Sequence, residues 1–248
     1  MNKKFEKLKK EIKSDLTENS KFYISISVLL ATVVVLFGFV FINCFVPSES
    51  MLPTLEPNQL YIADRLAYTK SPPKRGDIVV FKAPDEEHAK YVKRIIGLPG
   101  ELVCTKNNAV TIDGKTLDEP YLNEEMEDDT SSYYVPKKGD EVTLKNIQRN
   151  HKDEIIYANC YIGDYYVGNF GAPQENGTGL IMNKKINFLK KYCKEENGKY
   201  IIKEDTYFMM GDNRNNSLDA RYWDYAYVKK SKIVAKYMFT YLSFHRNN

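Results

Sequence analysis

Histidine is scarce in this chain, with three residues among 248. His88 lies in an acidic stretch, His151 in a polar stretch and His245 three residues from the end. None has the apolar flanks that would hold an imidazole in one orientation, so we expect all three to be exposed, and a Ser–His–Asp triad is not favoured. No H-E-x-x-H or comparable cluster is present, so the sequence indicates neither a metal site nor a cofactor.

Cysteine is also sparse, and no C-x-x-C pair occurs among Cys44, Cys104, Cys160 and Cys193. This excludes the usual zinc ligand spacing and a dense disulfide framework. Cys44 falls in the apolar segment described below, which leaves an odd number of thiols outside it. A Cys160–Cys193 disulfide remains an alternative, but separated thiols in buried positions are the simpler interpretation.

A large excess of charge of one sign is missing as well. The formal net charge is +3, and residues 1–21 account for it with seven lysines against four acidic residues. The remaining chain is formally neutral, which argues against nucleic acid as the main partner.

A single long uncharged run covers residues 22–46, which is 25 residues. As a helix it would extend over roughly 37 Å, enough to cross a hydrocarbon core of about 30 Å. The lysine-rich segment 1–21 before it predicts a cytoplasmic tail, with the rest of the chain exported.

Two other interpretations of the apolar run are a cleaved secretory signal peptide and a buried core helix. A signal peptide has a shorter apolar region and a cleavage site of small residues, and Cys44-Phe45-Val46 does not supply one. We therefore favour a retained transmembrane anchor.

Beyond the anchor, short β-branched and aromatic runs alternate with proline- and glycine-containing turns, a pattern typical of an all-β domain. Strands are predicted at 60–66, 77–81 and 91–96, a hairpin at 101–104 and 110–112, and closing strands within 233–244. The predicted β-rich catalytic core is 47–119 with 207–248. Between them, 120–206 changes in character and is interpreted as an inserted lobe, with a solvated acidic loop at 124–129 and a surface helix at 183–194.

The chemistry begins directly after the anchor, where residues 46–55 read V-P-S-E-S-M-L-P-T-L and place Ser50 at its mouth. A serine nucleophile without histidine needs another base, and a lysine qualifies if its pKa falls by roughly 2–3 units. In the predicted strand, Lys93 shares a face with Tyr91 and Ile95, while Arg94 points to the other face. Burial there would lower the pKa of Lys93; the alternative is a lysine that extends from an edge strand to solvent.

The segment 211–223 is dense in polar residues and follows an apolar run. Asp219 and Arg221 could pair with each other or with Arg214, and Ser217 could hydrogen-bond a buried amine. The alternative is a capped turn with surface ion pairs, which contribute little to stability.

Four segments together resemble the bacterial type I signal peptidases of the Ser–Lys kind. They are P-S-E-S-M-L-P-T-L at 47–55, R-G-D-I-V-V-F at 75–81, Y-V-K-R-I-I-G-L-P-G-E at 91–101 and G-D-N-R-N-N-S-L-D-A-R at 211–221. The resemblance implies a mainly β fold: a signal-peptidase/LexA-like catalytic core with an inserted α+β lobe and one N-terminal transmembrane helix.

The resemblance also implies roles for individual residues. Ser50 would be the nucleophile and Lys93 the general base. Ser48 and the Ser50 N–H would form the oxyanion hole, and Ser217 would orient the lysine. Supporting residues would be Asp212, Arg214, Asp219 and Arg221. Pockets for small side chains at the first and third positions before the cut would be lined by Val46, Pro47, Met51, Leu55, Val80, Tyr91 and Val92.

We therefore expect a single-pass membrane serine endopeptidase, monomeric, with its catalytic domain on the extracytoplasmic side. Its partners would be signal peptides of exported preproteins and membrane lipid, with no nucleic acid and no cofactor. The chain departs from the family pattern at Glu49, where glycine is frequent, and at Ala220 and Asp224, in place of a frequent serine and glycine. Two rival hypotheses are a self-cleaving repressor-type Ser–Lys protease and a catalytically inactive anchored β module that binds exported proteins.

Overall fold

The computed structural model describes residues 2–84, 89–122, 124–127, 130–171 and 186–244. The predictions for His88, His245, residues 128–129 of the acidic loop and residues 183–185 of the surface helix fall outside these ranges. The chain divides into two compact units, Met1–Ile42 and Asn43–Asn248.

The first unit is helical. Helix α1 is Asn2–Glu18 and helix α2 is Ser20–Val40. Helix α2 has a mean hydropathy of 2.5, none of it is buried, and its length and composition suffice to cross a membrane. The helix ends at Val40, six residues before the predicted end of the anchor at residue 46, and Phe41–Phe45 is a strand. The sequence Phe-Ile-Asn-Cys-Phe is rich in aromatic and β-branched residues, which suit a strand as well as an apolar helix.

Within the described residues, seventeen strands and one further α-helix follow in chain order. The strands are β1 Phe41–Phe45, β2 Gln59–Asp64, β3 Ile78–Lys82, β4 Lys90–Gly97, β5 Leu102–Lys106, β6 Ala109–Ile112, β7 Lys115–Thr116, β8 Ser131–Tyr134, β9 Glu141–Arg149, β10 Ile155–Ile162, β11 Tyr165–Gly171, β12 Ile186–Asn187, β13 Cys193–Glu196, β14 Lys199–Ile202, β15 Thr206–Met210, β16 Tyr227–Lys229 and β17 Ile233–Ser243. The short helix α3 is Phe188–Tyr192. The prediction of a mainly β protein is confirmed.

Three sheets organise these strands. The largest has the order β1-β2-β17-β3-β4-β15-β16, the second β12-β11-β10-β9-β14-β13, and the third β7-β6-β5-β8. Strand β4 lies between β3 and β15, with Val79 opposite Lys93 on one side and Met210 opposite Arg94 on the other. The strand of the predicted base is therefore held from both sides.

The predicted hairpin is formed by β5 and β6. Its turn is Asn107-Asn108, with φ values of 50° and 60°. Two successive left-handed residues give the backbone twist that closes a two-residue hairpin, and asparagine tolerates this conformation better than most residues.

Strands β9–β14 of the segment 120–206 form the second sheet by themselves, as an inserted lobe would, but the segment is not wholly separate from the predicted core. Its strand β8 pairs with β5, so it completes a sheet that begins in the predicted catalytic core. The helix predicted at 183–194 is described only as α3, which begins where the Asn187 side chain accepts a hydrogen bond from the Lys190 N–H at 2.8 Å. Acidic residue Glu125 is exposed as predicted, whereas Met126 beside it is buried.

One hydrophobic cluster joins the strands of the site to the second sheet, since Ile95 and Phe208 belong to the same cluster as Cys160 and Tyr192. All four cysteines are free, so the alternative of a Cys160–Cys193 disulfide is wrong for this structure. Burial raises the pKa of Cys160 and of Cys193 to about 12, as for inert thiols within a core.

Candidate active site

The segment that carries Ser50 is folded back on itself. The N–H of Leu55 donates to the carbonyl oxygen of Met51 at 2.9 Å, and that of Leu52 donates to Glu49 at 3.0 Å. The side chains of Met51 and Leu55 are fully buried, which anchors the segment, while Ser50 is 8% exposed. The buried side chains of Met51 and Leu55 thus fix the position of the nearly buried Ser50 hydroxyl at the edge of a cleft.

Lys93 reaches this hydroxyl from strand β4, and its Nζ donates a hydrogen bond to Ser50 Oγ. The lysine is 5% exposed. The pKa of Lys93 is lowered from 10.5 to about 8, chiefly by burial; the charges of Asp219 and Asp212 oppose the shift, whereas that of Arg221 adds to it. An amine with this pKa is neutral in an appreciable fraction of molecules near neutral pH, so the pair can act as base and nucleophile.

Ser48 completes a cluster of three polar groups. Its Oγ lies 3.3 Å from Ser50 Oγ. A hydroxyl at this distance can donate to an oxygen that develops negative charge beside the nucleophile. The position fits the predicted oxyanion role, which remains a prediction.

The loop after strand β15 holds the nucleophile segment by its backbone. The N–H of Asn213 donates to the Ser50 carbonyl oxygen at 3.2 Å, and its side-chain amide donates to the Glu49 carbonyl oxygen at 3.1 Å. A Cβ on Gly211 would collide with the Ser50 carbonyl oxygen and with Ser217, whose own Cβ would be 2.7 Å away. Only glycine allows this approach; the sequence placed Gly211 and Asn213 in a candidate site segment but gave neither an individual role.

Ser217 is buried beside Gly211, as the predicted orienting role would require. Its hydroxyl, however, has no hydrogen-bond partner among the described residues, so the hydrogen bond to the Lys93 amine is not formed in this structure. The hydroxyl is a buried donor close to the site, and its role stays a prediction.

Arg94 and Asp212 form a buried ion pair on the other face of β4. Arg94 Nε donates to Asp212 Oδ1 at 2.8 Å and Nη2 donates to Oδ2 at 2.6 Å. Thr54 also donates to this carboxylate at 2.5 Å, and the guanidinium lies 3.8 Å from the ring centroid of Tyr121. Asp212 thereby connects the nucleophile segment to the strand of the base.

Arg214 and Arg221, the two arginines predicted as supporting residues, are paired as well. Arg221 Nε donates to Asp219 at 2.9 Å, and the same carboxylate accepts the Gly211 N–H at 3.0 Å. Arg214 does not take part in this pair; its two terminal nitrogens donate to both carboxylate oxygens of Glu119. The alternative of surface ion pairs is wrong, because all four side chains are less than a tenth exposed.

A cleft of about 540 Å³ opens over Ser50 and Lys93. It is lined by Pro47, Ser48, Glu49, Ser50, Pro57, Tyr91, Lys93, Asn216 and Leu218. Pro47 and Tyr91 are thus the predicted pocket residues at its surface. Val46, Met51, Leu55 and Val80 are buried and Val92 is half-buried, so their part in substrate pockets remains a prediction.

Within the described ranges, no group of His, Cys, Asp and Glu side chains could hold a metal ion. His151, the histidine inside those ranges, is exposed as predicted. The polar groups brought together at the cleft are serines, a lysine and their ion-paired supports.

Comparison with known proteins gives one family. The family model "Signal peptidase, peptidase S26" matches residues 19–242. Signal peptidase I of Buchnera aphidicola subsp. Baizongia pistaciae is 33% identical over 218 residues, covering 79% of this chain and 68% of that protein. Signal peptidase I of Bacillus caldolyticus is 31% identical over 206 residues, covering 83% of this chain and 82% of that protein. The crystal structure of a signal peptidase I from Enterococcus faecalis V583 aligns at 23% identity with a TM-score of 0.33, covering 66% of this chain and 95% of that one.

Proposed function

Because the chain belongs to the signal peptidase family, peptidase S26, we propose that it is a membrane-anchored serine endopeptidase that removes N-terminal signal peptides from exported preproteins. The observation that carries this proposal is the hydrogen bond between Lys93 Nζ and Ser50 Oγ within a nearly buried site. The proposed nucleophile and base are in contact, and the lowered pKa of Lys93 supports a role as base.

In the first step, the neutral amine of Lys93 accepts the proton of the Ser50 hydroxyl as Oγ attacks the carbonyl carbon before the cut. The existing hydrogen bond is the path of that proton, reversed in direction when the amine is neutral. The protonated lysine then donates to the departing amine nitrogen, and the signal peptide stays on Ser50 as an ester.

The oxygen of the tetrahedral intermediate carries the negative charge. The Ser50 N–H and the Ser48 hydroxyl would donate to it, and one such donor is worth about 2.7–4 kcal/mol in the transition state. Water, activated by the same lysine, then hydrolyses the ester and regenerates Ser50.

The helix Ser20–Val40 would place the enzyme in the membrane through which its substrates pass. Sharing a membrane raises the effective concentration of enzyme and substrate without any additional contact. The lysine-rich segment 1–21 supports a cytoplasmic N-terminus, membrane lipid as a partner and a catalytic domain on the extracytoplasmic side. A monomer suffices, because the proposed nucleophile and base come from one chain.

The test is turnover of a preprotein by the full-length protein in detergent micelles. We expect Ser50→Ala and Lys93→Ala to abolish cleavage, and the control Ser132→Ala, at an exposed serine of β8, to retain it. Lys93→Arg should also be inactive, because a guanidinium stays protonated.

The rival hypothesis of an inactive anchored module predicts that the wild-type protein binds preproteins without cutting them. Cleavage that persists in Ser50→Ala would overturn the assignment of the nucleophile while leaving the activity in place.

A further inference from the structure

Glu49 lies between Ser48 and Ser50, is exposed, and lines the cleft together with Asn216 and Leu218. The Asn216 side-chain amide donates to Glu49 Oε2 at 3.2 Å. The Glu49 backbone is held by Asn213, so the loop that positions the nucleophile also positions this carboxylate.

The carboxylate has no cationic partner within the described part of the chain. Among the residues that line the cleft, Glu49 is the one acid and Lys93 the one cation, and Lys93 is engaged with Ser50. None of the ion pairs between described residues includes Glu49. A fixed charge on the wall of a cleft attracts ligands of the opposite sign more strongly than the same charge on a flat surface.

The pockets expected for the signal peptide do not account for this carboxylate. Val46, Met51, Leu55 and Val80 of that set are buried, whereas Pro47 and Tyr91 line the same cleft as Glu49. Those pockets would take small side chains at the first and third positions before the cut, and small side chains carry no charge to a carboxylate. No pocket of that set is assigned to the residues after the cut, so a long basic side chain is compatible there.

We propose that Glu49 is a specificity residue that favours preproteins with lysine or arginine among the first three residues after the cut. This inference rests on the proposed function and names a substrate preference of the same site. The apolar stem of the basic side chain would lie against the exposed Leu218, and its charged end would reach the Glu49 carboxylate.

A purely structural role for Glu49 makes a different prediction. If its carboxylate serves only to accept the hydrogen bond from Asn216, then Glu49→Gln, which keeps an acceptor oxygen, leaves substrate preference unchanged.

The experiment uses a preprotein that the full-length enzyme cuts in detergent, with lysine or glutamine placed at each of the first three positions after the cut. The measured quantity is the ratio of kcat/KM for the lysine form to that for the glutamine form, which cancels any loss of activity common to both. We expect a ratio of about two to five at one or more positions for the wild type, as for a solvent-accessible charge pair. It should fall to about one in Glu49→Gln and below one in Glu49→Lys.

Two controls define the site. Glu195→Gln removes an exposed carboxylate of strand β13 and should leave the ratio as in the wild type. Raising NaCl from 50 to 500 mM should lower the wild-type ratio, because salt screens an exposed pair.

A wild-type ratio of one at all three positions, or an unchanged ratio in Glu49→Gln, would overturn the inference while cleavage itself stands. A Glu49-dependent preference found only for lysine at the second residue before the cut would overturn the placement of the acidic group. Absence of cleavage of every preprotein form would overturn the proposed function instead.

Discussion

The amine of Lys93 donates to the hydroxyl of Ser50 across 43 positions of sequence. The contact joins a turn that follows the apolar segment to a strand inside the largest sheet, and both residues are nearly buried, at 8% and 5% exposed. The chemistry of the site depends on the protonation state of this one amine.

Activity should therefore rise with pH on a limb centred near 8. The neutral amine is the active form, and the pKa of Lys93 is lowered to about 8 from 10.5 chiefly by burial. The pH dependence of kcat/KM reports the free enzyme and measures this pKa directly. A limb centred near 10.5 would show that the amine is hydrated in solution.

The same shift makes Lys93 a destabilising residue. Its pKa is lower in the folded than in the unfolded chain, so between pH 8 and 10.5 the unfolded state binds more protons and stability rises with pH. Below pH 8 the buried charge of Lys93 lowers the free energy of unfolding by about 3 kcal/mol. Lys93→Met should be inactive yet melt several degrees higher than the wild type at pH 7, and the difference should shrink towards pH 10. An equal or lower Tm at pH 7 would contradict this.

Ser48→Ala should lower kcat by about 10²–10³-fold with little change in KM, because an oxyanion donor acts mainly in the transition state. Ser48 is exposed and 3.3 Å from the nucleophile, so its removal should leave the Tm nearly unchanged. The opposite pattern, a lower Tm with intact kcat, would assign the hydroxyl to the turn instead.

Gly211→Ala should reduce activity severely. The added methyl would collide with the Ser50 carbonyl oxygen and the Ser217 side chain, so the nucleophile has to move. Gly38→Ala is the matched control, since nothing lies within 4 Å of a Cβ there, and it should behave as the wild type. Preprotein cleavage and Tm measured for both variants separate displacement from unfolding; full activity of Gly211→Ala would mean that the loop relaxes at no cost.

Asp212→Asn should destabilise the protein by about 3 kcal/mol, because Arg94 would remain buried without its counter-charge. The Glu141→Gln control breaks an ion pair whose two side chains are about half exposed, and its effect should be below about 1 kcal/mol. Thermal melting of the two variants beside the wild type provides the comparison, and equal Tm values would contradict the prediction.

The parts of the fold that could be predicted are those whose secondary structure is indicated by neighbouring residues in the sequence. Strands β3 and β4 lie within one residue of their predicted bounds, because β-branched runs there are bracketed by proline and glycine. The end of the anchor helix was misplaced because an apolar run is the same signal for a helix and for a buried strand. Strands β9 and β10 were not predicted, since Tyr, Asn and Lys interrupt their alternation.

The site divides in the same way. Ser50 and Lys93 were identified because each lies in a distinctive short segment. The pair of Arg221 with Asp219, two positions apart, was among the predicted alternatives. The partners of Arg94 and Arg214 could not be predicted, because they lie 118 and 95 positions away. Such pairs depend on how strands are ordered in a sheet, and sequence spacing carries no information about that order.

Ile95 and Phe208 of the largest sheet share one hydrophobic core with Cys160 and Tyr192. Residues 141–202 therefore cannot be deleted to give a smaller enzyme without exposing part of that core. Tyr192 donates its hydroxyl to the carbonyl oxygen of Tyr227, two strands from the base, so removing α3 would open the interior of the largest sheet to water. An engineer who wants a smaller peptidase would have to rebuild that interior with new apolar side chains before removing anything.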